Sequence, residues 1–405
     1  MKNRLIVVLG MHRSGTSAIT RGLQVMGVGL GDRLLPPMEG VNPKGFLEDA
    51  DLKDLNELIL NALGSNWHYL APIGPTEVDV LYKQGYFLSA VELLRKKMDA
   101  IPLFGFKDPR VAKLLPFWKE VIKHCELDAS YVLAMRHPLS VIKSLSIRDG
   151  FDATKSYLLW LDHTIESLAG ATDEKCILVD FDRLIRSPDH ELKRISNKFN
   201  MEIDPKGLET YKAEFLDSKL RHTVYDLRDL ILDEACPPLV RDIYSVLLKV
   251  ASDEISLEDI GLQEKIAEWV VEHARLKPAL MLFDRLYVQK MTAEQLIAEK
   301  KNIIDDLLNQ VAEKEQTING LLAQAAEKEQ TISGLLTQAA EKERGVEAVL
   351  VQMAEKEQTV DILLAQVAEK ESQIYEITSS KAWKVGLLFR KVRILLFPPK
   401  DYYKK

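Results

Sequence analysis

The sequence predicts an α/β fold in which a doubly wound parallel sheet is flanked by helices and followed by a long C-terminal helical coiled coil. Short apolar runs alternate with helical patterns in the first half of the chain, and from about residue 301 apolar residues recur at a spacing of seven. Hydrophobic residues make up 46% of the 405 positions, which is enough for a sizeable core. We therefore expect a globular α/β part and a separate helical extension.

The first strand is predicted at Leu5–Leu9, and the loop Gly10–Ser17 follows it with the sequence Gly-Met-His-Arg-Ser-Gly-Thr-Ser. Helical spacing begins at Ala18. A strand, a tight loop and a helix N-terminus direct backbone N–H groups and the positive end of a helix dipole at one point. This arrangement predicts an anion site of the P-loop type.

The loop differs at one position from the nucleotide-binding pattern G-x-x-x-x-G-K-[ST]. Gly10, Gly15 and Ser17 fit the pattern, whereas Thr16 stands at the lysine position. That lysine reaches the terminal phosphates in ATP- and GTP-using enzymes, so its loss argues against their chemistry. A cation stands earlier, at Arg13, and the loop therefore suits one phosphate group. A strand–turn–helix corner with incidental polar residues is the alternative.

Three further apolar runs predict strands at Leu103–Phe106, Tyr131–Met135 and Cys176–Val179. Charged residues follow each of these strands, and cations are among them at Lys107–Arg110 and at Arg136. Such residues lie at the ligand-binding edge of the sheet in α/β proteins. A helix beginning at Pro138 carries Ser144, which can reach the same anion as Arg136 if the helix folds over that edge. A surface salt-bridge cluster is the alternative for Lys107–Arg110.

Composition limits the partners and the location that we expect. The net charge of −7 gives no general reason to expect nucleic-acid binding. Cys125, Cys176 and Cys236 are scattered and odd in number, which predicts a reduced, cytoplasmic setting without a disulfide framework or a metal site. The first apolar run is too short for a signal peptide, and no run of about 18 apolar residues predicts a membrane span.

Three motifs together resemble the PAPS-dependent sulfotransferases, most closely the bacterial, carbohydrate-type branch, over roughly residues 1–250. They are Gly10–Ser17, Phe106–Arg110 and Arg136–Pro138 with Ser144. The resemblance implies that the donor is 3′-phosphoadenosine-5′-phosphosulfate (PAPS). It also implies that Arg136 and Ser144 bind the 3′-phosphate. The residues that it assigns to the 5′-phosphosulfate end are Arg13, Ser14, Gly15, Thr16 and Ser17.

The resemblance further implies catalytic roles. Glu48, in a segment that matches the acceptor side of the family, is the first choice for the base, ahead of Asp49 and His12. Both acids also fit the start of the helix predicted over residues 51–63. Arg13 and Lys107 are expected to stabilise charge on the leaving oxygen. The implied reaction moves a sulfuryl group to a hydroxyl of a glycan or similar acceptor, without a metal.

Two other functions remain open from the sequence. One is a P-loop nucleotide-dependent phosphoryl transferase, which Thr16 disfavours. The other is a non-catalytic scaffold, with a degenerate nucleotide-binding head on a coiled-coil stalk.

We expect four segments along the chain, namely a sulfotransferase-like domain over 1–252, a helical linker over 253–300, a coiled coil over 301–376 and a basic hydrophobic tail over 377–405. A fourteen-residue unit containing Ala-Glu-Lys-Glu recurs five times between Ala312 and Glu371. One seam is apolar at every seventh position from Ile304 to Ile374, and the companion seam alternates apolar residues with lysine. The pattern predicts a homo-oligomer or a partner bound through a coiled coil. A single solvated helix or a flexible tract is the alternative.

The tail combines positive charge with apolar residues. Between Ser379 and Lys405 it carries eight Lys or Arg against one acid, interleaved with Trp383, Phe389 and Phe397. This composition suits an anionic membrane surface. We therefore expect peripheral association with the inner face of the membrane, with a partner-binding or packing segment as the alternative.

Overall fold

The computed structural model describes residues 3–38, 44–172, 174–216, 225–332 and 339–379. The chain divides into two compact units, of which the first comprises Met1–Met281 and the second begins at Leu282. Asn42 and Pro43 of the predicted acceptor-side segment, and residues 380–405 of the predicted tail, lie outside the described residues.

A four-stranded parallel sheet lies at the centre of the first unit and confirms the predicted fold class. Its strands are β1 (Arg4–Leu9), β2 (Leu103–Lys107), β3 (Asp128–Met135) and β4 (Cys176–Asp180), in the order β2-β1-β3-β4. Each strand pair is parallel, with Val8 beside Lys107 and Leu9 beside Leu133. Because the strands share one direction, the loops that follow them leave from one edge of the sheet.

Helices flank the sheet. In chain order they are α1 (Thr16–Gln24), α2 (Ala50–Ala62), α3 (Pro75–Lys83), α4 (Tyr86–Ala100), α5 (Arg110–His124), α6 (Pro138–Asp149), α7 (Ala153–Ala171), α8 (Phe181–Arg186), α9 (Pro188–Phe199), α10 (Pro205–Thr210), α11 (Leu227–Leu232), α12 (Pro238–Ala251) and α13 (Ile260–Arg275). A short π-helical turn, Tyr211–Phe215, follows α10.

The core is built from the alternation of side chains along the strands. Ile6 and Val8 of β1 share one face of the sheet, and they pack in one buried cluster with Ile19 of α1 and with Leu192 and Phe199 of α9. Burial of each large apolar side chain stabilises the fold by roughly 1.5–3 kcal/mol. This packing fixes α1, and with it the loop that precedes α1, against the sheet.

Two long helices, α14 (Lys277–Ile332) and α15 (Ala339–Ser379), follow α13 and carry the heptad repeat. Val311 and Ile318 of α14 line one cavity of about 300 Å³ together with Met353, Lys356 and Val360 of α15. The apolar members of this set all belong to the predicted apolar seam, and Ile318 is only 7% exposed.

The positions of these residues show the relative direction of α14 and α15. Ile318 and Met353 are each fourteen residues from the nearer helix end, at Ile332 and Ala339. At about 1.5 Å per residue, both lie about 21 Å from the connection between the helices. The two helices therefore pack antiparallel at these positions, as a hairpin within one chain, with Ile318 buried and Val311, Met353 and Val360 half-buried. Pairing of the stalk with a second chain stays a prediction.

Within the described ranges, no helix combines the length and the apolar character that crossing a membrane requires.

Candidate active site

The loop Gly10–Ser17 leaves β1 at the carboxyl edge of the sheet and packs closely against its neighbours. Gly10 has a φ of +143°, and a Cβ atom there would lie 2.6 Å from the carbonyl oxygen of Ala134. Gly15 has a φ of +80°, and a Cβ atom there would lie 2.1 Å from the ring of Phe181. Both positions require glycine for backbone conformation and for space.

The loop delivers the N-terminus of α1 to this edge in a form that suits an anion. Gly15 is the N-cap, so no side chain caps the helix, and the first turn of α1, all of it described, contains no acidic residue. The N–H groups and the positive end of the helix dipole are therefore available to a ligand anion. Arg13 holds a left-handed φ of +69°. Such a conformation costs a non-glycine residue of the order of 1 kcal/mol.

Three of the predicted donor-binding residues meet directly. The Nε atom of Arg13 donates to the Oγ atom of Ser144 at 2.6 Å. The Nη1 atom of Arg136 donates to the carbonyl oxygen of Arg13 at 3.2 Å. The guanidinium of Arg136 also lies 4.6 Å from the centre of the Phe181 ring. The start of α6 thus folds over the sheet edge and brings Ser144 to the loop.

Glu48 and Lys107 form a buried ion pair at the same edge. The Nζ atom of Lys107, at the end of β2, donates to the Oε1 atom of Glu48. The buried Oε2 atom of Glu48 has no hydrogen-bond partner among the described residues. Burial raises the pKa of Glu48 above its ordinary value, although the charge of Lys107 acts in the opposite direction. A carboxylate with a raised pKa and one oxygen available is suited to accept a proton.

Hydrogen bonds to Ser17 and to Leu35 hold the segment around Glu48 in place. The Oγ atom of Ser17 donates to the carbonyl oxygen of Phe46 at 3.0 Å. The backbone N–H of Leu35 donates to the carbonyl oxygen of Glu48 at 2.9 Å. The segment is therefore fixed both to α1, through Ser17, and to the earlier part of the chain at Leu35.

Asp49 has the helix-start role. Its Oδ1 atom accepts the backbone N–H groups of Asp51 and Leu52 at 3.0 and 3.2 Å, which makes it the N-cap of α2. Its Oδ2 atom lies 2.8 Å from the Nζ atom of Lys97. These contacts commit both oxygens of Asp49 to structure and set the position of its neighbour Glu48.

His12 presents a neutral imidazole beside the loop. Burial lowers the pKa of His12 well below 6.5, and the charges of Arg148, Arg110 and Lys107 lower it further. Its buried Nε2 atom makes no hydrogen bond within the part of the chain that the structure describes. At neutral pH the side chain can therefore accept or donate a hydrogen bond but carries no charge.

The segment Lys107–Arg110 has two roles. Lys107 turns to Glu48, whereas Asp108 ties β2 to the neighbouring helices. The Oδ1 atom of Asp108 accepts from Arg110 at 2.9 Å, and its Oδ2 atom accepts from the Asn56 amide at 2.9 Å. Arg110 also contacts Glu57 at 2.7 Å. The segment thus forms ion pairs that are more buried than the expected surface cluster, and its role at a ligand-binding edge stays a prediction.

The remaining predicted residues lie in the first turn and its approach. Ser14 and Thr16 are buried, and the Thr16 carbonyl accepts from the Thr20 hydroxyl at 2.8 Å. Sequence reasoning missed a group of side chains beside His12: Trp67, His68, Arg148 and Phe151. A signal existed for Arg148, because it stands four residues after Ser144 and so shares its helix face.

Two groups of side chains in the described residues have the proximity of metal ligands. They are Asp162 with Glu166 and His273, and Asp32 with Asp49 and Asp51. A lysine ammonium contacts at least one acid of each group. Lys113 forms an ion pair with Asp162, and Lys97 contacts all three acids of the second group at 2.5–2.8 Å.

The fold and this site define an α/β protein with a glycine-bounded loop at the carboxyl edge of its sheet and a buried carboxylate at the same edge. Residues 6–205 match the model of the sulfotransferase family, and through this region the chain belongs to that family. Sulfuryl transfer is therefore the general activity to which the site belongs.

Comparison with other proteins adds little beyond the family. No curated protein matches this chain. One solved structure to which the chain is similar is the sulfotransferase domain of the olefin synthase from Synechococcus PCC 7002. The identity is 15%, the match covers 55% of this chain and 84% of that domain, and the TM-score is 0.33. A likeness at this level carries no argument about the site.

Proposed function

We propose that this chain takes a sulfuryl group from PAPS and transfers it to a hydroxyl group of a glycan or similar acceptor. The observation that carries the proposal is the meeting of two sets of residues at one edge of the sheet. Arg13 contacts both Ser144 and Arg136 there, and the buried pair of Glu48 and Lys107 lies at the end of the adjacent strand.

The residues present fit a donor with two anionic ends. The uncapped N-terminus of α1 suits the 5′ end. Arg136 offers a planar guanidinium, which binds phosphate through paired hydrogen bonds, and so suits the 3′-phosphate. The Ser144 hydroxyl, which accepts a hydrogen bond from Arg13, offers a further polar group to the donor.

Each group then has a task in the transfer. When bound, the donor supplies a sulfuryl group activated by its bond to a phosphate oxygen. Arg13 and Lys107 stabilise the negative charge that develops on that oxygen as the bond to sulfur breaks. The Oε2 atom of Glu48 accepts the proton of the acceptor hydroxyl while the hydroxyl oxygen bonds to sulfur. The products are a sulfate ester, 3′-phosphoadenosine-5′-phosphate and a proton on Glu48.

Binding of nucleotides to the full chain tests this proposal. We expect 3′-phosphoadenosine-5′-phosphate to bind at least tenfold more tightly than ATP with magnesium in titration calorimetry, because a charged hydrogen bond to the 3′-phosphate contributes about 1.5–3 kcal/mol. A preference for ATP with magnesium would favour the phosphoryl transferase. Binding of neither nucleotide would favour the scaffold.

We further propose that the basic tail associates with an anionic membrane surface on the cytoplasmic side. Each basic residue near such a surface contributes about 1 kcal/mol, and salt screens that contribution. Removal of residues 379–405 should abolish flotation with anionic vesicles and leave turnover of a soluble acceptor unchanged. Equal flotation of both forms would instead favour a protein partner for the tail.

A further inference from the structure

Aromatic side chains form a wall next to the loop. The ring of His12 lies 4.3 Å from that of Trp67, measured between centroids, and Trp67 lies 5.8 Å from Phe151. His68 completes the group, at 5.4 Å from Trp67 and 5.7 Å from Phe151. We call Trp67, His68 and Phe151 the aromatic wall. Trp67 and His68 are partly exposed, so the wall is accessible from outside the core.

The fold holds the aromatic wall at a fixed place relative to the loop. Lys113 of α5 donates to the carbonyl oxygen of Tyr69 at 2.9 Å and forms a fully buried ion pair with Asp162 of α7. These contacts anchor the segment that contains Trp67. Phe151 follows directly after α6, the helix whose Ser144 contacts Arg13. The wall is thus tied to the same helix as the donor-binding residues.

Two cations accompany the wall. The Arg148 guanidinium lies 5.2 Å from the centre of the Trp67 ring, and the Lys155 ammonium lies 4.4 Å from that of Phe151. Arg148 uses its Nε atom to contact Asp149 at 2.8 Å. Within the described residues its two terminal nitrogens make no hydrogen bond, and its side chain is 20% exposed. Arg148 therefore has hydrogen-bond donors that a further anion can use.

Positive charge dominates this part of the site, although the whole chain is acidic. Burial lowers the pKa of His12, and the charges of Arg148, Arg110 and Lys107 lower it further. Burial, followed by the charge of Lys155, lowers the pKa of His68 to about 4. Burial, followed by the charge of Arg148, lowers the pKa of Arg13, whereas the charge of Asp149 acts in the opposite direction. The cations of the wall therefore add to those that already face the donor.

We propose that Trp67 and Arg148 form the acceptor subsite and that the acceptor is an acidic glycan, with a sugar ring against the aromatic wall and its carboxylate on Arg148. This inference rests on the proposed function. Sugar rings present apolar C–H faces that pack on aromatic rings, and guanidinium groups pair with carboxylates through two hydrogen bonds. A neutral sugar leaves the terminal nitrogens of Arg148 without an anion, so the subsite discriminates against it.

A pair of matched acceptors tests the proposal on the full chain. One is an oligosaccharide of alternating glucuronic acid and hexosamine units, and the other is the same oligosaccharide with its carboxyl groups reduced to alcohols. We expect the KM of the acidic form to be at least tenfold lower. The Arg148→Gln variant should abolish that preference, and Trp67→Ala should raise KM for both forms. Lys143→Ala changes an exposed cation of the same helix and serves as the matched control, with the preference retained.

The outcomes separate this inference from the proposed function. Titration with 3′-phosphoadenosine-5′-phosphate reports donor binding independently, and ligand-observed NMR reports binding of each oligosaccharide without turnover. Failure of donor binding would overturn the proposed function. Donor binding by a protein that binds neither oligosaccharide, or binds both equally, would overturn only the inference. An equal fall in kcat for both acceptors in Arg148→Gln would place Arg148 in the transfer step and overturn its role in selection.

Discussion

The carboxyl edge of the sheet and the helical hairpin use charged residues in opposite ways. At the sheet edge, Glu48 and Lys107 are buried against each other although they are 59 positions apart in the chain. In the hairpin the described Glu and Lys residues of the repeat are mostly exposed, and among the described positions of the apolar seam Ile318 is buried and the others are half-buried. Burial makes a charge expensive and therefore specific, whereas an exposed charge contributes little beyond solubility.

This difference predicts where the molecule is sensitive. A change at the sheet edge removes one partner of a buried group and leaves the other unsatisfied. A change in the hairpin alters one layer of a repeated interface, and its neighbours compensate. Substitutions at the sheet edge should therefore have larger effects than substitutions in the hairpin.

The largest effect is expected from Glu48→Gln. Loss of the proton acceptor should lower kcat by about 10²–10⁴-fold while donor binding is retained. In the unmodified protein the rate should fall as the pH drops through the raised pKa of Glu48, because only the carboxylate accepts a proton. Steady-state kinetics across pH measure both effects. Asp54→Asn, which changes an exposed acid of α2, is the control, and unchanged turnover in Glu48→Gln would return Glu48 to a structural role.

A second effect of the sheet edge is acid sensitivity at His137. Its Nδ1 atom accepts the N–H of Leu139 at 3.2 Å, and Nε2 contacts the carbonyl oxygen of Asp226 at 2.8 Å. Burial lowers the pKa of His137 to about 4 in the folded protein. The unfolded chain, with a pKa near 6.5, therefore binds more protons between these values. Stability should fall by roughly 3 kcal/mol as the pH drops from about 6.5 to 4.

The His137→Asn variant isolates that effect. An asparagine caps a helix N-terminus well and does not titrate. Thermal unfolding of both proteins at pH 7 and at pH 4.5 gives the comparison, and we expect the variant to lose less stability on acidification. An equal loss in both proteins would assign the acid sensitivity to other buried groups.

A third and smaller effect concerns recognition of the donor. Arg136→Ala should weaken binding of 3′-phosphoadenosine-5′-phosphate at least tenfold, since a charged hydrogen bond contributes roughly 1.5–3 kcal/mol. Binding of adenosine 5′-phosphate should change much less. Titration calorimetry with both nucleotides measures the difference. Equal losses for the two ligands would show that Arg136 does not read the 3′-phosphate.

Features of the molecule that depend on local sequence patterns can be predicted, whereas features that depend on distant contacts cannot. The strands and the glycine loop follow from local patterns, because a parallel buried strand needs a continuous apolar run and the loop needs Gly10 and Gly15 at fixed offsets. The hairpin seam likewise follows from a spacing of seven. These features depend on residues that are close in the chain, so they can be predicted from the sequence.

The aromatic wall and the direction of the stalk do not follow from local patterns. Trp67 reaches His12 only because Lys113 and Asp162 anchor its segment to two distant helices. A heptad seam fits a partner from the same chain or from another chain equally well, and only the three-dimensional structure shows Val311 and Ile318 beside Met353 and Val360. Asp49 and Glu48 are adjacent acids with the same local preference. Their contacts separate them, because Asp49 accepts the N–H groups of α2 whereas Glu48 pairs with Lys107.

The smallest effect is expected in the hairpin, from Ile318→Val. Ile318 is 7% exposed in the interface between α14 and α15, so loss of one methylene should cost about 1 kcal/mol. Ile303→Val makes the same change at a residue that is 50% exposed, and it should change the stability by less than about 0.5 kcal/mol.

Thermal unfolding followed by helical circular dichroism compares the two variants with the unmodified chain. Because the interface lies within one chain, its midpoint should stay constant when the protein concentration changes about a hundredfold. A midpoint that rises with concentration would show that the stalk is held by a second chain instead, since association stabilises the folded form by mass action. Equal effects of Ile318→Val and Ile303→Val would show that the seam is not the buried face.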